Sequence, residues 1–161
     1  EITHDDKGLK VGTPGAFGPI GQYINVNRAN IKGVELGLDA DIVPAFLRLK
    51  ASYTWLDARD GAGLKLARRP DHQAKIAAVF TPTDRLTIEP SLYLMGERYS
   101  SPKQVGKLRP YARIDLRADY KINDMLTVYA RAENLTNAKY QEILTYGTTG
   151  RAIYAGMRAT W

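Results

Sequence analysis

A charged ladder is the most regular feature of the sequence that could do chemistry. Arginine and aspartate alternate at every second position in Arg113, Asp115, Arg117 and Asp119. Side chains two residues apart in a strand point to the same side, so these charges would form one row. The row could guide a polar solute along a hydrated wall, or its charges could pair with one another. We favour pairing, because hydrated ion pairs are common and individually weak.

Arginine and tyrosine side chains in three glycine-containing, charged stretches form a second set of candidates. Binding residues concentrate in loops, where these side chains supply hydrogen-bond donors and large contact surfaces. The candidate ligand-binding residues are Arg69, Arg98, Tyr99, Tyr140 and Tyr146.

Composition argues against several classes of protein. The 161 residues include no cysteine, which removes disulfides and thiolate metal sites. The sequence has no glycine-rich phosphate loop, no histidine pair at metal spacing and no serine in a nucleophile elbow. We therefore expect no enzyme activity, no cofactor and no metal. The net charge of +6 is scattered among acidic residues, which argues against nucleic-acid binding.

Seven segments alternate apolar and polar residues with period two, the pattern of strands that have one apolar face. They cover residues 34–40, 47–55, 74–80, 86–94, 112–120, 126–132 and 153–161. In the last segment the apolar side consists of Ile153, Ala155, Met157, Ala159 and Trp161. No apolar run approaches the roughly 20 residues of a membrane-spanning helix. The sequence therefore predicts an all-β, antiparallel fold.

The connections between these segments alternate in length. Short turns are predicted at residues 42–44, 81–84 and 121–124, and long loops at 58–70, 98–109 and 135–150. Outer-membrane β-barrels show this alternation, with the short turns on the periplasmic side. Aromatic residues also fall where an apolar face would meet the two membrane surfaces, with Tyr53 and Trp55 near the long loops. At the turn side the corresponding residues are Phe80, Tyr120 and Trp161. We therefore expect the apolar faces to contact lipid.

Several motifs, in this order, resemble those of TonB-dependent outer-membrane receptors. The motifs are Gly33-Val34-Glu35, Ser52 to Ala58, Leu66 to Pro70, Glu133 to Asn137 with Tyr140, and Gly150-Arg151 before a terminal aromatic. The resemblance covers residues 22–161. It is closer to the cobalamin-receptor and siderophore-receptor branch, on the basis of residues 57–59 and 146–151.

The resemblance implies a barrel of roughly 22 strands with a plugged lumen, of which this chain would supply about seven strands. Residues 22–161 would be the C-terminal strands, and residues 1–21 an extracellular loop or strand end. The implied function is uptake of a ferric siderophore or cobalamin across the bacterial outer membrane. The implied partners are outer-membrane lipid, the nutrient complex and the TonB complex, which acts through a plug domain that this sequence lacks. The barrel-assembly machinery would read the apolar row that ends at Trp161.

Two features bear on whether the chain is complete. It opens with Glu1, not methionine, and shows no signal peptide, so we expect a processed or excised piece. Seven strands left open would expose unpaired backbone groups to lipid, which is costly for a membrane protein on its own.

Two alternatives remain open on the sequence alone. The first is a small, closed eight-stranded outer-membrane barrel with a structural or adhesive role. It would need an extra strand from residues 1–21, whose glycine and proline content argues against one. The second is a soluble, lipocalin-like binding barrel. That protein would pack the apolar rows into a closed, dry centre, so the location of the leucines and tryptophans separates the two environments.

Overall fold

The structure, a computed structural model, describes residues 28–161 and the backbone of Ile2–Thr3 and Gln22–Tyr23. Its strands are β1 (Ile2–Thr3), β2 (Gln22–Tyr23), β3 (Ala29–Val43), β4 (Leu47–Asp60), β5 (His72–Thr83), β6 (Leu86–Met95), β7 (Arg98–Ser101), β8 (Val105–Leu108), β9 (Tyr111–Lys121), β10 (Leu126–Glu133) and β11 (Ala152–Ala159). Over these residues, no helix has the length and apolar character needed to cross a membrane. The predicted division at residue 21 stays a prediction, since most of residues 1–27 lie outside the described part.

Seven strands form one antiparallel sheet in the order β11-β10-β9-β6-β5-β4-β3. Each strand pairs with the next along the chain, except that the β7–β8 hairpin is inserted between β6 and β9. The predicted all-β, antiparallel architecture and its seven strands are confirmed. Among the described residues, β3 and β11 are edges that pair with no eighth strand, because β1 and β2 pair only with each other. This arrangement does not support the small closed barrel.

One stretch differs from the sequence prediction. Residues 98–109 were expected to be a loop, but they contain the β7–β8 hairpin. Its strands have only four residues each, which is too short for a period-two pattern to stand out. The bend between them places Lys103 and Gln104 at φ values of 57° and 60°. Glycine usually occupies positions with such φ values, and sequence-based recognition of a hairpin turn relies on it. The bend has lysine and glutamine there instead, so the sequence does not mark it as a turn.

The strand register aligns the apolar positions into continuous rows. One row passes from Leu36 to Tyr53, Ala74, Leu94 and Ala112 across five neighbouring strands. A slip of one residue at any of these pairings would move a whole strand's apolar side chains to the opposite face. The period-two pattern of each strand therefore specifies the register of the sheet.

The apolar rows lie on the surface. Leu36 is 61% exposed, Leu38 51% and Met157 73%, whereas the buried hydrophobic residues in the described part are Ala58, Ala77 and Leu108. The leucines and tryptophans thus do not form a dry centre, which removes the support for a lipocalin-like barrel. An exposed apolar face of this extent needs an apolar environment, as lipid provides around a transmembrane barrel. We call it the apolar face and the opposite side the lumen face.

The two ends of the sheet differ in their connections. The turn end carries the short connections at residues 44–46, 84–85 and 122–125, and the loop end carries those at 61–71, 96–110 and 134–151. At the turn end Phe46 and Phe80 meet edge to face with ring centroids 6.3 Å apart. Near the loop end the Tyr53 hydroxyl lies 2.8 Å from Nδ1 of His72, which pairs with Trp55 in the sheet. The aromatic residues therefore mark both borders of the apolar face.

Candidate functional site

The three long connections form one interlocked assembly, which we call the loop layer (residues 61–71, 96–110 and 134–151). The Arg68 amide donates a 2.7 Å hydrogen bond to the Tyr99 carbonyl and ties the first connection to β7. The Ser100 hydroxyl, which is buried, accepts a 2.9 Å hydrogen bond from the Leu144 amide and ties β7 to the last connection. Each connection is thus fixed to the next.

Arg98 is the centre of the loop layer. Its side chain is only 2% exposed, and its Nη2 lies 2.8 Å from a Glu142 carboxylate oxygen and 2.9 Å from the Gln141 carbonyl. The guanidinium also lies over the Tyr111 ring, 5.6 Å from its centroid, and the Tyr111 hydroxyl donates to the same Glu142 carboxylate. The Nη1 atom is buried and finds no hydrogen-bond partner among the described residues. Arg98 therefore holds residues 141–142 in place and keeps one donor unused.

Tyr140 extends this cluster toward the lumen face. Its ring stacks on Tyr111 with centroids 4.0 Å apart and an interplanar angle of 18°. Its hydroxyl lies 3.4 Å from Nη1 of Arg113, whose guanidinium sits over the Tyr93 ring at 4.6 Å. Stacked aromatic and guanidinium planes restrict one another's rotation, so these side chains form a pre-arranged polar and aromatic surface.

Asn134 explains the motif at residues 133–137 in physical terms. This buried residue adopts a φ of 52°, a conformation that asparagine tolerates better than most residues. Its side chain accepts a hydrogen bond from the Ala138 backbone N–H at 2.8 Å and donates one to the Ala138 carbonyl at 3.0 Å. The backbone N–H of Asn134 donates to the Asp115 carboxylate at 2.9 Å. These bonds turn the chain sharply out of β10 and anchor the last connection to β9.

A cavity of about 720 Å³ lies between the segment 107–110 and the segment 137–150. Tyr140 and Gln141 line it, together with three cations, Lys107, Arg109 and Lys139. Lys107 pairs with Glu97 at 2.8 Å, and the hydrogen bond and charge of that carboxylate raise the pKa of the lysine. Arg109 and Lys139 are exposed. The cavity is large enough for a small organic ligand and offers it several hydrogen-bond donors.

The structure groups only some of the predicted ligand-binding residues. Arg98 and Tyr140 belong to one cluster, and Tyr99 lies on β7 beside it. Arg69 is exposed and Tyr146 is 68% exposed, and among the described residues neither forms a hydrogen bond, ion pair or ring contact with that cluster. The sequence reasoning missed Tyr111 and Glu142. Tyr111 lies two residues before Arg113, so the two side chains point to the same face of β9, and it follows Pro110 at the start of that strand. These two signals would have placed Tyr111 on the lumen face next to a loop.

The charged ladder lies on the lumen face of β9. Arg113 pairs with Asp115 at 2.9 Å, and Arg117 makes two hydrogen bonds to Asp119 at 2.6 and 2.7 Å. Each arginine of the ladder thus pairs with the aspartate two residues after it, which is the paired arrangement favoured on sequence grounds.

The C-terminal apolar row lies on and just after the last strand, at one edge of the sheet. Ile153, Ala155 and Met157 belong to the edge strand β11, with Met157 opposite Val128 of β10. Trp161 follows the strand and is fully exposed. Among the described residues there is no group of three or more histidine, aspartate or glutamate side chains that could hold a metal ion.

The chain has relatives of known identity. The family model described as TonB dependent receptor-like, beta-barrel, matches residues 2–135. The chain is 32% identical over 143 residues to the vitamin B12 transporter BtuB of Photobacterium profundum, a match that covers 87% of this chain and 23% of that protein. The chain thus spans less than a quarter of that relative's length.

Two solved structures show the same fold. The ferric-catecholate import receptor Fiu from Escherichia coli K12 gives a TM-score of 0.68 at 19% identity, covering 99% of this chain and 23% of that one. The ferripyoverdine receptor of the outer membrane of Pseudomonas aeruginosa gives 0.66 at 22% identity, covering 81% and 19%. Together with the family match, these similarities confirm the prediction made from the motifs. The chain belongs to the TonB-dependent receptor-like β-barrel family, a family of receptors and transporters of the bacterial outer membrane.

Proposed function

We propose that this chain forms the C-terminal wall of an outer-membrane receptor that binds a scarce nutrient complex outside the cell and passes it inward. The nutrient is a ferric siderophore or cobalamin, by analogy with the vitamin B12 transporter and the ferripyoverdine receptor that the chain resembles. TonB supplies the driving force by acting on a plug domain in the lumen. The observation that carries this proposal is the combination of an exposed apolar face, a polar lumen face and a loop layer with a cavity of about 720 Å³.

The ligand contacts are proposed to come from the loop layer, at the extracellular end. Tyr140 lines the cavity and is held in one orientation by Tyr111, so its hydroxyl can meet a ligand at little entropic cost. The unused Nη1 donor of Arg98 marks a second polar group in this layer. Arg69, Tyr99 and Tyr146 are retained as further candidates of the same extracellular surface. The paired charges of Arg113 to Asp119 serve as a hydrated wall.

The chain itself supplies no catalytic group or cofactor in this proposal. The arginines and aspartates of the charged ladder pair with one another, and the family consists of receptors and transporters. Transport requires reversible contacts to the solute, which hydrogen-bond donors and aromatic rings provide.

Uptake in cells lacking their own cobalamin and siderophore receptors tests this function. Cells that express the intact receptor should accumulate labelled cyanocobalamin or a ferric siderophore only when TonB is present. Tyr140→Ala should weaken binding about tenfold or more, because it removes a stacked ring and a hydroxyl together. Thr136→Ala, at an exposed residue of the same connection, is the control. Equal uptake with and without TonB, or uptake of neither ligand, would contradict the proposal.

We also propose that the apolar row Ile153, Ala155, Met157, Ala159 and Trp161 is the surface that the barrel-assembly machinery recognises. Its support is the position of β11 at a sheet edge with these side chains exposed. Deleting Trp161 should reduce the amount of receptor assembled in the outer membrane several-fold while leaving ligand affinity per assembled receptor unchanged. Membrane fractionation with quantitative binding separates the two effects, and an affinity loss at normal assembly levels would refute this role.

A further inference from the structure

Three arginines surround a cavity of about 460 Å³ on the lumen face of the last strands. Arg117 of β9 lies directly opposite Arg131 of β10, and Arg131 lies opposite Tyr154 of β11. Arg158 lies farther along β11, toward the turn end, and Tyr129 completes the wall of the cavity. Like charges placed directly opposite one another destabilise a sheet unless nearby groups compensate them. We call these three residues the arginine cluster.

The carboxylates near the arginine cluster compensate it only in part. Asp119 accepts two hydrogen bonds from Arg117, one at each carboxylate oxygen. Glu133 makes a single, longer contact of 3.3 Å with Nε of Arg131. Arg158 makes no hydrogen bond and no ion pair within 4 Å among the described residues, and its charge acts on Asp119 from a longer distance. Glu89 of β6 lies opposite Arg117 on its other side, so the arginine cluster has three carboxylates beside it. Most hydrogen-bond donors of Arg131 and Arg158 are nevertheless unoccupied.

The aromatic residues hold two of these guanidinium groups in defined positions. Arg117 lies over the Tyr129 ring at 5.7 Å, and Arg131 over the Tyr154 ring at 4.8 Å. Tyr129 can lie across β11 because residue 156 is glycine, where a Cβ would come within 2.6 Å of the tyrosine hydroxyl. A guanidinium stacked on a ring keeps its N–H groups free at its edge, where a carboxylate binds them in two parallel hydrogen bonds.

The lumen cations of β4 are arranged differently. Arg48 forms ion pairs with both Asp39 and Asp41 of β3, and Lys50 lies directly opposite Asp39. Those cations already have acidic partners within the wall. The guanidinium groups of Arg131 and Arg158, by contrast, keep most of their donors free for an anionic partner from elsewhere.

The lumen of a receptor barrel of roughly 22 strands is occupied by a plug. A plug packed against the wall removes water from the guanidinium groups, which then need acceptors, because unpaired buried donors and charges are costly. On the basis of the proposed function, we infer that the arginine cluster docks aspartate or glutamate side chains of the plug. Charge complementarity selects these side chains over basic or apolar ones.

A charge-neutralised receptor tests this docking. The double variant Arg131→Gln/Arg158→Gln of the intact receptor should show more open pores in planar bilayers, and admit a large hydrophilic antibiotic to cells, about tenfold more than wild type. The control Arg48→Gln/Lys50→Gln removes the same number of lumen charges from β4 and should stay close to wild type. A cluster variant that leaks no more than the control, with normal heat-modifiable gel migration, would overturn the inference.

Chemical coupling identifies the partner. In the Arg158→Lys variant, a carbodiimide should link the new amine to an aspartate or glutamate of the plug, detected by mass spectrometry. Coupling confined to Asp119 or Glu133 of the wall would overturn the inference. Uptake by the wild-type receptor is measured in parallel. A receptor that has a plug but shows no TonB-dependent uptake would refute the proposed function. The leakage and coupling results would still decide whether the arginine cluster docks the plug.

Discussion

The seven-stranded sheet, which we call the wall, and the loop layer differ in which residues they bury. Of the six residues buried in the described part, only Ala77 lies well inside the wall, whereas Arg98, Ser100, Leu108 and Asn134 belong to the loop layer and Ala58 lies at its border. The wall is held by strand pairing and leaves its apolar side chains exposed. The loop layer is rich in polar residues, yet it contains its own small core. The wall thus depends on the solvent around it, and the loop layer depends on its internal contacts.

The first way to test this contrast is to place the same charge on either face of the wall. Leu92 and Ser91 are neighbours in β6 that point to the apolar face and the lumen face. Leu92→Arg should destabilise the receptor in lipid by about 2–4 kcal/mol, the cost of an arginine on the lipid face near the bilayer midplane. Denaturant unfolding in lipid vesicles measures the change.

The matched control is Ser91→Arg. Ser91 lies directly opposite Asp115 on the polar lumen face, so the new guanidinium gains a nearby carboxylate. Its effect should stay within about 0.5 kcal/mol, as for most exposed substitutions. Equal destabilisation by the two variants would show that the apolar face does not contact hydrocarbon.

The second test concerns the core of the loop layer. Arg98→Ala removes the contacts to Glu142 and to the Gln141 carbonyl and leaves that carboxylate without its cation. We expect a loss of about 1–3 kcal/mol in the local stability of residues 134–151, because the lost hydrogen bonds involve charged groups. Hydrogen exchange and limited proteolysis of this connection report the loss.

Arg109→Ala is the control, since Arg109 is an exposed arginine of the same layer. The temperature midpoint of heat-modifiable gel migration, which measures unfolding of the wall, should be the same in both variants. A wall that loses stability together with residues 134–151 would contradict the independence of the two regions.

The smallest expected effect separates two glycines of the lumen face. Gly156→Ala places a Cβ 2.6 Å from the Tyr129 hydroxyl, while Gly37→Ala meets nothing within 4 Å. The tyrosine end can move, so we expect Gly156→Ala to cost only about 1 kcal/mol and Gly37→Ala to be neutral or slightly stabilising. Adding Tyr129→Phe should restore part of the loss. Unfolding in detergent would test this, and a larger effect at Gly37 would contradict the packing described.

Sequence patterns predicted the wall better than the loop layer. Period-two alternation located all seven strands of the main sheet, because a strand that meets hydrocarbon on one side and water on the other must alternate. The β7–β8 hairpin escaped, since its strands are short and its bend uses Lys103 and Gln104 in place of glycine. Arg98 and Tyr140 were selected as loop residues, but their common partners Tyr111 and Glu142 were not. Partners 31 and 44 residues apart carry no local signal.

The sequence by itself determined the strands, their apolar faces and the family, since each of these depends on residues close together in the chain. The tertiary structure decided which polar groups meet. The opposition of Arg117 and Arg131, the burial of Arg98 and the stacking of Tyr140 on Tyr111 all follow from strand register and loop packing. The physical reason is that alternation is imposed on each strand by its two solvents, whereas contacts between distant residues exist only after the sheet and its loops have assembled.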